Sequence, residues 1–371
     1  MPPLEVWEKV LVSTDFEHST HGALGCTACH WGQDEAVDKD EAHAGMIVAP
    51  STGEATACQA CHAKETAAMP GSLHATQNGY HTAFAARGGD PQGDSQYQAM
   101  FGNLCSKCHT SCGQCHISRP VSVGGGLING HDFRKTPSQT EQCIACHGSR
   151  IGAEFRGRNT GIPADVHYLA GMNCMSCHDD VELHGDGTTP ANRFANDAGP
   201  QCTNCHDLEA ESESSPARLY HDEHVDRVQC QVCHSVAYKN CYACHVELGE
   251  HGLRFPSQMD FRIGRNAKQS EKRPYEYAVL RHVPVAPDTF EPWGIELPDY
   301  AAEPTWRLAT PHNIQKNTPQ TESCANCHGS LDLFLSLEYV AGLVQEGLMV
   351  STEVEANEPV VVEEPPGDLR P

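Results

Sequence analysis

Cysteine and histidine are the residues of this chain whose spacing can do chemistry. The densest stretch reads Cys105-Ser-Lys-Cys108-His109-Thr-Ser-Cys112-Gly-Gln-Cys115-His116, two Cys-x-x-Cys-His units separated only by Thr110 and Ser111. In such a unit two thiols can bond the edge of a porphyrin and the adjacent imidazole can take its iron, so the pattern marks a covalently attached haem. Two flat macrocycles leaving so short a piece of backbone must share one local structure. They are expected to be direct neighbours on one electron path.

The unit occurs ten times and uses all 20 cysteines. The expected attachment thiols and proximal iron ligands are Cys26, Cys29 and His30; Cys58, Cys61 and His62; Cys105, Cys108 and His109; Cys112, Cys115 and His116; and Cys143, Cys146 and His147. The series continues with Cys174, Cys177 and His178; Cys202, Cys205 and His206; Cys230, Cys233 and His234; Cys241, Cys244 and His245; and Cys324, Cys327 and His328. Zinc ribbons, redox dithiols and disulfides also use paired cysteines, but none of them requires a histidine directly after the second one. The expected cofactor set is therefore ten covalently bound haem c groups.

Those groups must be positioned by very little chain. The 371 residues leave ~37 for each haem, too few for separate stable domains, so the haems must share walls. With 39% hydrophobic and 6% aromatic residues, the polypeptide supplies only part of a core and the porphyrin faces the rest. Segments rich in Gly and Pro lie between the units, at 87–93, 124–130 and 185–190. The expected fold class is a multihaem cytochrome: short α-helices carrying the units, irregular connections, little β, and a core of closely packed haems.

Of the 23 histidines, thirteen lie outside the units, enough to give ten irons a second imidazole with three to spare. Phe16, His18 and His21 precede Cys26, and Tyr220, His221 and His224 precede Cys230. Two histidines three apart lie on one side of a helical turn and can reach different irons. This aromatic-His-x-x-His approach to a haem unit resembles the class III, cytochrome c3-like multihaem cytochromes. The resemblance covers short windows and implies that each such pair supplies distal ligands to two different haems.

Internal repeats add further distal candidates. His131 and His312 each stand twelve residues before a unit, in matching sequences that run on to Cys143 and Cys324. His184 and His251 each stand six residues after a proximal histidine and precede a glycine. His43, His74 and His167 lie in the approach to a unit, whereas His81 and His282 fit no pattern. The stretch 105–116 supplies no distal ligand of its own, and His74, His131 and the c3-like pairs are its expected sources. Eight methionines are also present, but with histidine in surplus bis-histidine ligation throughout is expected, which lowers the haem potential.

The chain is expected to divide into a nine-haem core at 1–251, a haem-free wrapping or docking segment at 252–311, a tenth haem with a C-terminal helix at 312–350, and an acidic, Pro-containing mobile tail at 351–371. The haem-free segment clusters Arg262, Arg265, Lys268, Lys272, Arg273 and Arg281 with aromatic residues. Leu333, Leu337, Val340 and Val344 mark the helical stripe, and Val360 to Val362 form a candidate added strand. No run of about 20 apolar residues offers a membrane span. The opening residues have no signal-peptide pattern, yet covalent haem attachment takes place outside the cytoplasm. The expected location is therefore periplasmic, cell-surface or extracellular, with a leader removed before this numbering.

A formal charge of −24 disfavours nucleic acid and anionic membranes as partners and suits a basic redox partner or an extracellular electron acceptor. The leading expectation is an electron-transfer conduit rather than an enzyme. Two assemblies stay open: a polymer resembling the extracellular cytochrome filaments of metal-reducing bacteria, and a subunit of a membrane-associated respiratory complex. A multihaem reductase with one open haem is the enzymatic alternative. The lysine-ligated unit of multihaem nitrite reductases, CxxCK, does not occur.

Overall fold

In a computed structural model of the chain, the described residues are 4–52, 56–108, 110–208, 216–236, 260–283 and 285–367. His109, Cys241, Cys244, His245 and His251 fall outside them.

The recurring element is a single helical turn. The His30 amide donates to the Cys26 carbonyl at 2.9 Å, and the same bond joins His62 to Cys58, His178 to Cys174, His206 to Cys202 and His328 to Cys324 at 2.8 to 3.0 Å. Residues i, i+3 and i+4 share one face of such a turn, so both thiols and the imidazole point the same way. Four of these turns end at the histidine. Thr27–His30, Cys112–His116, Ile144–His147 and Cys230–His234 are α-helical, whereas Cys174–Ser176, Cys202–Asn204 and Cys324–Asn326 are 3-10 turns. Short helices are marginal alone, so their stability must come from what they carry and what they pack on.

Two compact units interleave along the chain, in place of the expected division at 251. The first comprises Met1–Gly79, Cys105–Gly148 and Cys174–Ala198. The second comprises Tyr80–Leu104, Ser149–Asn173 and Gly199–Pro371. Each unit gathers segments distant in sequence.

The first unit has almost no protein core. Among its described residues, prolines aside, Ile128 is the one aliphatic or aromatic side chain that the polypeptide buries. Hydrogen bonds bring its segments together: Asn78 reaches the Pro190 carbonyl at 3.1 Å, the Thr110 hydroxyl reaches the His74 carbonyl at 3.2 Å, and the Ser13 amide reaches the Gly130 carbonyl at 2.8 Å. At that last contact Gly130 has φ +68°, and a Cβ there would lie 2.8 Å from the Ser13 backbone nitrogen and Cβ, so glycine is required.

The second unit builds an ordinary apolar core. Strands β1 (Arg262–Arg265), β2 (Tyr277–His282) and β3 (Trp306–Leu308) form an antiparallel sheet in that order, Leu280 standing opposite both Arg262 and Leu308. On one side Ile263, Tyr277, Val279, Phe334 and Val362 pack around Val232 of the Cys230–His234 turn. A second cluster joins Leu280, Trp306 and Leu335 to Val340 and Leu343 of α1 (Leu337–Gln345). A third packs Phe84, Tyr97 and Met100 against Ile295, Leu297 and Tyr300. Each fully buried side chain of this kind contributes ~1.5–3 kcal/mol.

Three expectations change in this unit. Residues 260–311 form the sheet and much of the core rather than an outer wrap. Their cations are engaged within the chain: Arg265 and Arg227 flank Glu276 at 2.6 and 2.8 Å, Lys268 and Arg307 meet Glu303 at 3.0 and 3.3 Å, and Arg262 lies over the Tyr339 ring at 3.6 Å. The segment after 350 is docked over most of its length, not mobile. In α2 (Thr352–Asn357), Glu353, Ala356 and Asn357 are buried, and the Val362 amide bonds the Leu335 carbonyl at 2.8 Å. The apolar Val360, Val361 and Val362 outweigh the acidic flank, and the strand-like stretch adds to its own chain.

Candidate haem-iron sites

Seven described unit histidines each face one histidine from outside the units. Ring centroids are 6.0 Å apart for His30 and His131, 6.3 Å for His62 and His21, 6.0 Å for His116 and His184, and 6.3 Å for His147 and His74. In the second unit they are 5.9 Å for His206 and His167, 6.2 Å for His234 and His221, and 6.1 Å for His328 and His224. Rings in true contact here are closer, as with His21 on Phe133 at 4.0 Å or His81 on Phe101 at 4.5 Å. A metal bonded to two imidazole nitrogens at about 2 Å each, with about 1 Å more to each ring centre, sets centroids roughly 6 Å apart. The gaps fit one iron. No group of three or more His, Cys, Asp or Glu that could hold a metal occurs among the described residues, and none of the eighteen described cysteines forms a disulfide. Two facing imidazoles suit an iron whose other ligands would come from a porphyrin, whereas a zinc site needs further protein ligands.

The rings are oriented through their other nitrogen. Nδ1 of His30 donates to the Ile47 carbonyl at 2.7 Å, His116 to Arg134 at 2.6 Å, His234 to Gln315 at 3.1 Å and His328 to Gly367 at 3.0 Å. His224 donates to the Tyr220 carbonyl at 2.8 Å, one helical turn back. A proton fixed on Nδ1 leaves Nε2 as the metal-binding atom. Burial lowers the proton affinity of His21, His74, His116 and His131, keeping those imidazoles neutral, the form that ligates. His178 differs: its Nδ1 meets the Glu182 carboxylate at 2.6 Å, and that hydrogen bond raises its proton affinity.

His131 is held in a strained backbone, φ +82°, between the rings of Phe16 at 4.6 Å and Phe133 at 5.3 Å. Such a conformation costs of order 1–3 kcal/mol and persists only where the surroundings demand it. Some exposed apolar side chains lie close in sequence to these histidines. Leu24, Trp31, Leu169, Val181, Tyr220 and Val225 flank them and offer surface that a macrocycle would cover.

Thiols of different units meet as well. Cys58 lies near enough to Cys112 for the two thiols to affect each other's ionisation, and the same holds for Cys108 with Cys146, Cys143 with Cys174, and Cys202 with Cys230. In the first two pairs one thiol is pushed up and its partner down by the shared proton. Cys115 also feels Cys146, and Cys233 feels Cys327. Attachment edges therefore adjoin across units. The thiols of 105–116 turn outward, Cys108 to Cys146 and Cys112 to Cys58, rather than towards each other.

The partners differ from those that sequence position suggests. His184 faces His116 rather than nearby His178, and His131 faces His30 rather than His147. His116 thus draws on neither His74 nor His131. His221 and His224, three apart on α3 (Pro216–His224), face two different unit histidines, His234 and His328. His18 and His43 are exposed and face no imidazole among the described residues. Nδ1 of His312 donates to the Thr310 carbonyl at 2.9 Å. His81 bonds the Tyr97 hydroxyl at 2.8 Å, and fully buried His282 meets Glu353 at 3.1 Å in the second unit's core. The sequence reading missed Glu182 and Asp165, which contact Nδ1 of His178 and His167. A carboxylate four residues after one histidine and two before the other was the available signal.

Sulfurs on single turns, with imidazoles facing imidazoles across an atom-wide gap, mark a protein built to hold several haems. A family model described as cytochrome c554 and c-prime matches residues 184–235. The high-molecular-weight cytochrome c of Nitratidesulfovibrio vulgaris is 28% identical over 112 residues, 28% of this chain and 19% of that protein. The match thus spans about a fifth of that relative's length. No solved structure matches. These findings support a multihaem c-type cytochrome with covalently bound haem and a role in electron transfer. No helix among the described residues is long and apolar enough to cross a membrane.

Proposed function

We propose that this chain is a decahaem electron-transfer conduit working outside the cytoplasm, with its irons closed between paired imidazoles. The observation that carries the reading is the set of seven histidine pairs at 5.9 to 6.3 Å, each joining one unit histidine to one other. Haem, when bound, supplies the one-electron iron couple. The cysteines would tether it, Nε2 of each paired histidine would ligate its iron, and the Nδ1 donors would hold the rings. At the seven paired sites protein ligands would leave the iron no position for substrate, which suits transfer rather than turnover.

The thiol contacts support an order for the path. In the first unit the sites at 26–30, 58–62, 112–116 and 143–147 are linked in turn by electrostatic interaction of Cys29 with Cys58, Cys58 with Cys112, and Cys115 with Cys146. The sites at Cys108 and Cys174 both adjoin the 143–147 site. In the second unit Cys202, Cys230 and Cys233, and Cys327 connect three sites in turn. Redox partner proteins or an extracellular acceptor would exchange electrons at the ends.

Intact-mass measurement together with EPR of the oxidised protein tests the reading. Ten haem increments and wholly low-spin iron are expected. Fewer haems, or a high-spin signal with CO or nitrite binding, would overturn it. Exposure of His18 and His43 favours a second reading, assembly into a filament in which a subunit lends an imidazole to its neighbour. Fibres in negative stain would support that reading, and a monodisperse particle of single-chain mass would exclude it.

A further inference from the structure

The carboxylate of Glu182 contacts the ring of a unit histidine directly. Four described unit histidines, His30, His116, His234 and His328, direct Nδ1 at neutral backbone carbonyls. His178 directs Nδ1 at Glu182 Oε2, 2.6 Å away and four residues on, with the Glu182 side chain only 18% exposed. The placement is built in. Asp179 caps the helix Asp180–His184 by accepting from the Glu182 amide at 2.8 Å, which starts the turn that returns the carboxylate to His178.

We infer that Glu182 is a positioning residue that sets the haem attached at Cys174 and Cys177 to a lower potential than a carbonyl-oriented ligand would give; this rests on the haem reading above. A hydrogen bond to a carboxylate is about twice as strong as one to a neutral acceptor and makes the imidazole a better donor to its metal. The ferric iron carries one more positive charge than the ferrous iron it becomes on accepting one electron. A basic ligand and a nearby anion therefore stabilise the oxidised form and make reduction harder. The charge is also shared. Glu182 acts electrostatically on His74, which faces His147, and His184 on the same helix faces His116. One anion thus lies among imidazoles of three sites in the first unit, and its strongest effect falls on His178.

Asp165 provides the contrast. It also meets a ring, Nδ1 of His167 at 2.8 Å, but it accepts backbone amides of His167 at 2.8 Å and Ile314 at 2.9 Å as well. Its charge is spread over three donors, so its pull on one ring is weaker than that of Glu182.

The test uses the full haem-loaded chain carrying Glu182→Gln, titrated with dithionite and followed by visible absorption, with EPR of the oxidised form. One haem is expected to gain about tenfold in its reduction equilibrium, an upward shift of about 59 mV for one electron. One set of low-spin EPR features should move while the haem count stays as in the parent. Glu182→Asp, one methylene too short for the contact, should shift the same haem in the same direction by less. Titrations of both variants that superimpose on the parent would overturn the inference, with haem still attached at Cys174 and Cys177. Absence of haem at those cysteines in the parent itself would instead overturn the underlying reading.

Discussion

His74 and His147 face each other with ring centroids 6.3 Å apart and ring planes at 82°. Seventy-odd residues of sequence separate them, and between them there is room for one metal atom. Replacing His74 with Ala should open one axial position and no other. The expected result is CO binding and a high-spin signal equal to one haem, against none in the parent. A parent-like spectrum would show that His74 is no ligand.

The helix Pro216–His224 makes a sharper test, because His221 and His224 face different partners. His221→Ala should open the site of His234 and His224→Ala that of His328, each binding one CO. The double variant should bind two. If either single variant opened both sites, the helix itself would be failing rather than a ligand. Gel-separated peptides stained for haem would then show loss at both attachment sequences.

Glu276 lies between Arg227 and Arg265, and the hydrogen bond from Arg227 is the larger cause of its carboxyl sitting below the ordinary range. A depressed carboxylate adds stability above its unfolded pKa and loses it as pH falls through the folded value. Glu276→Gln should therefore cost about 0.5 kcal/mol near neutrality, a small figure because the pair is partly exposed and screened. The difference from the parent should vanish in acid. Paired denaturant titrations at the two pH values check this, and a cost independent of pH would assign the effect to packing.

The second unit's C-terminal segment is held by buried polar contacts. Asn357 accepts from the Trp306 amide at 2.8 Å and donates to the Thr305 hydroxyl at 2.8 Å, while Thr305 donates to Glu353 at 2.6 Å. Asn357→Ala strands an amide in the core and should cost about 1–3 kcal/mol. Limited proteolysis should then cut near 350–362, which the parent resists. Unchanged cleavage would mean that the valines alone hold the segment.

The attachment chemistry is legible in the sequence because it is local. Two thiols and an imidazole within five residues need only one helical turn, and Cys26 to His30 specifies that turn without help from the rest of the chain. Pairing is not local. Nothing in the spacing of His184 or His131 tells which ring each faces, since a distal ligand is chosen by how distant segments close around a macrocycle. The pair His221 and His224 was readable because its geometry is again helical. The sheet was hidden for a different reason. Arg262 and Arg281 sit in short strands without a clean alternation of apolar and charged residues, and their charge points to a surface role. Arg262 pairs with Asp260, two residues before it, and with the Asp332 carbonyl, 70 residues on in a turn that carries no motif.

That the first unit buries so few side chains among its described residues, with Ile128 and Pro120 the apolar ones, has an evolutionary consequence. A chain whose interior is made of residues must keep their sizes matched, and each change in volume is felt by its neighbours. Where the interior is a prosthetic group of constant shape, that constraint falls on the few side chains that grip it. The remaining positions need only stay polar and reach the next grip. Such a unit can lose recognisable ancestry quickly while keeping its shape, and relatives would be better sought by the cadence of cysteine and histidine than by overall likeness.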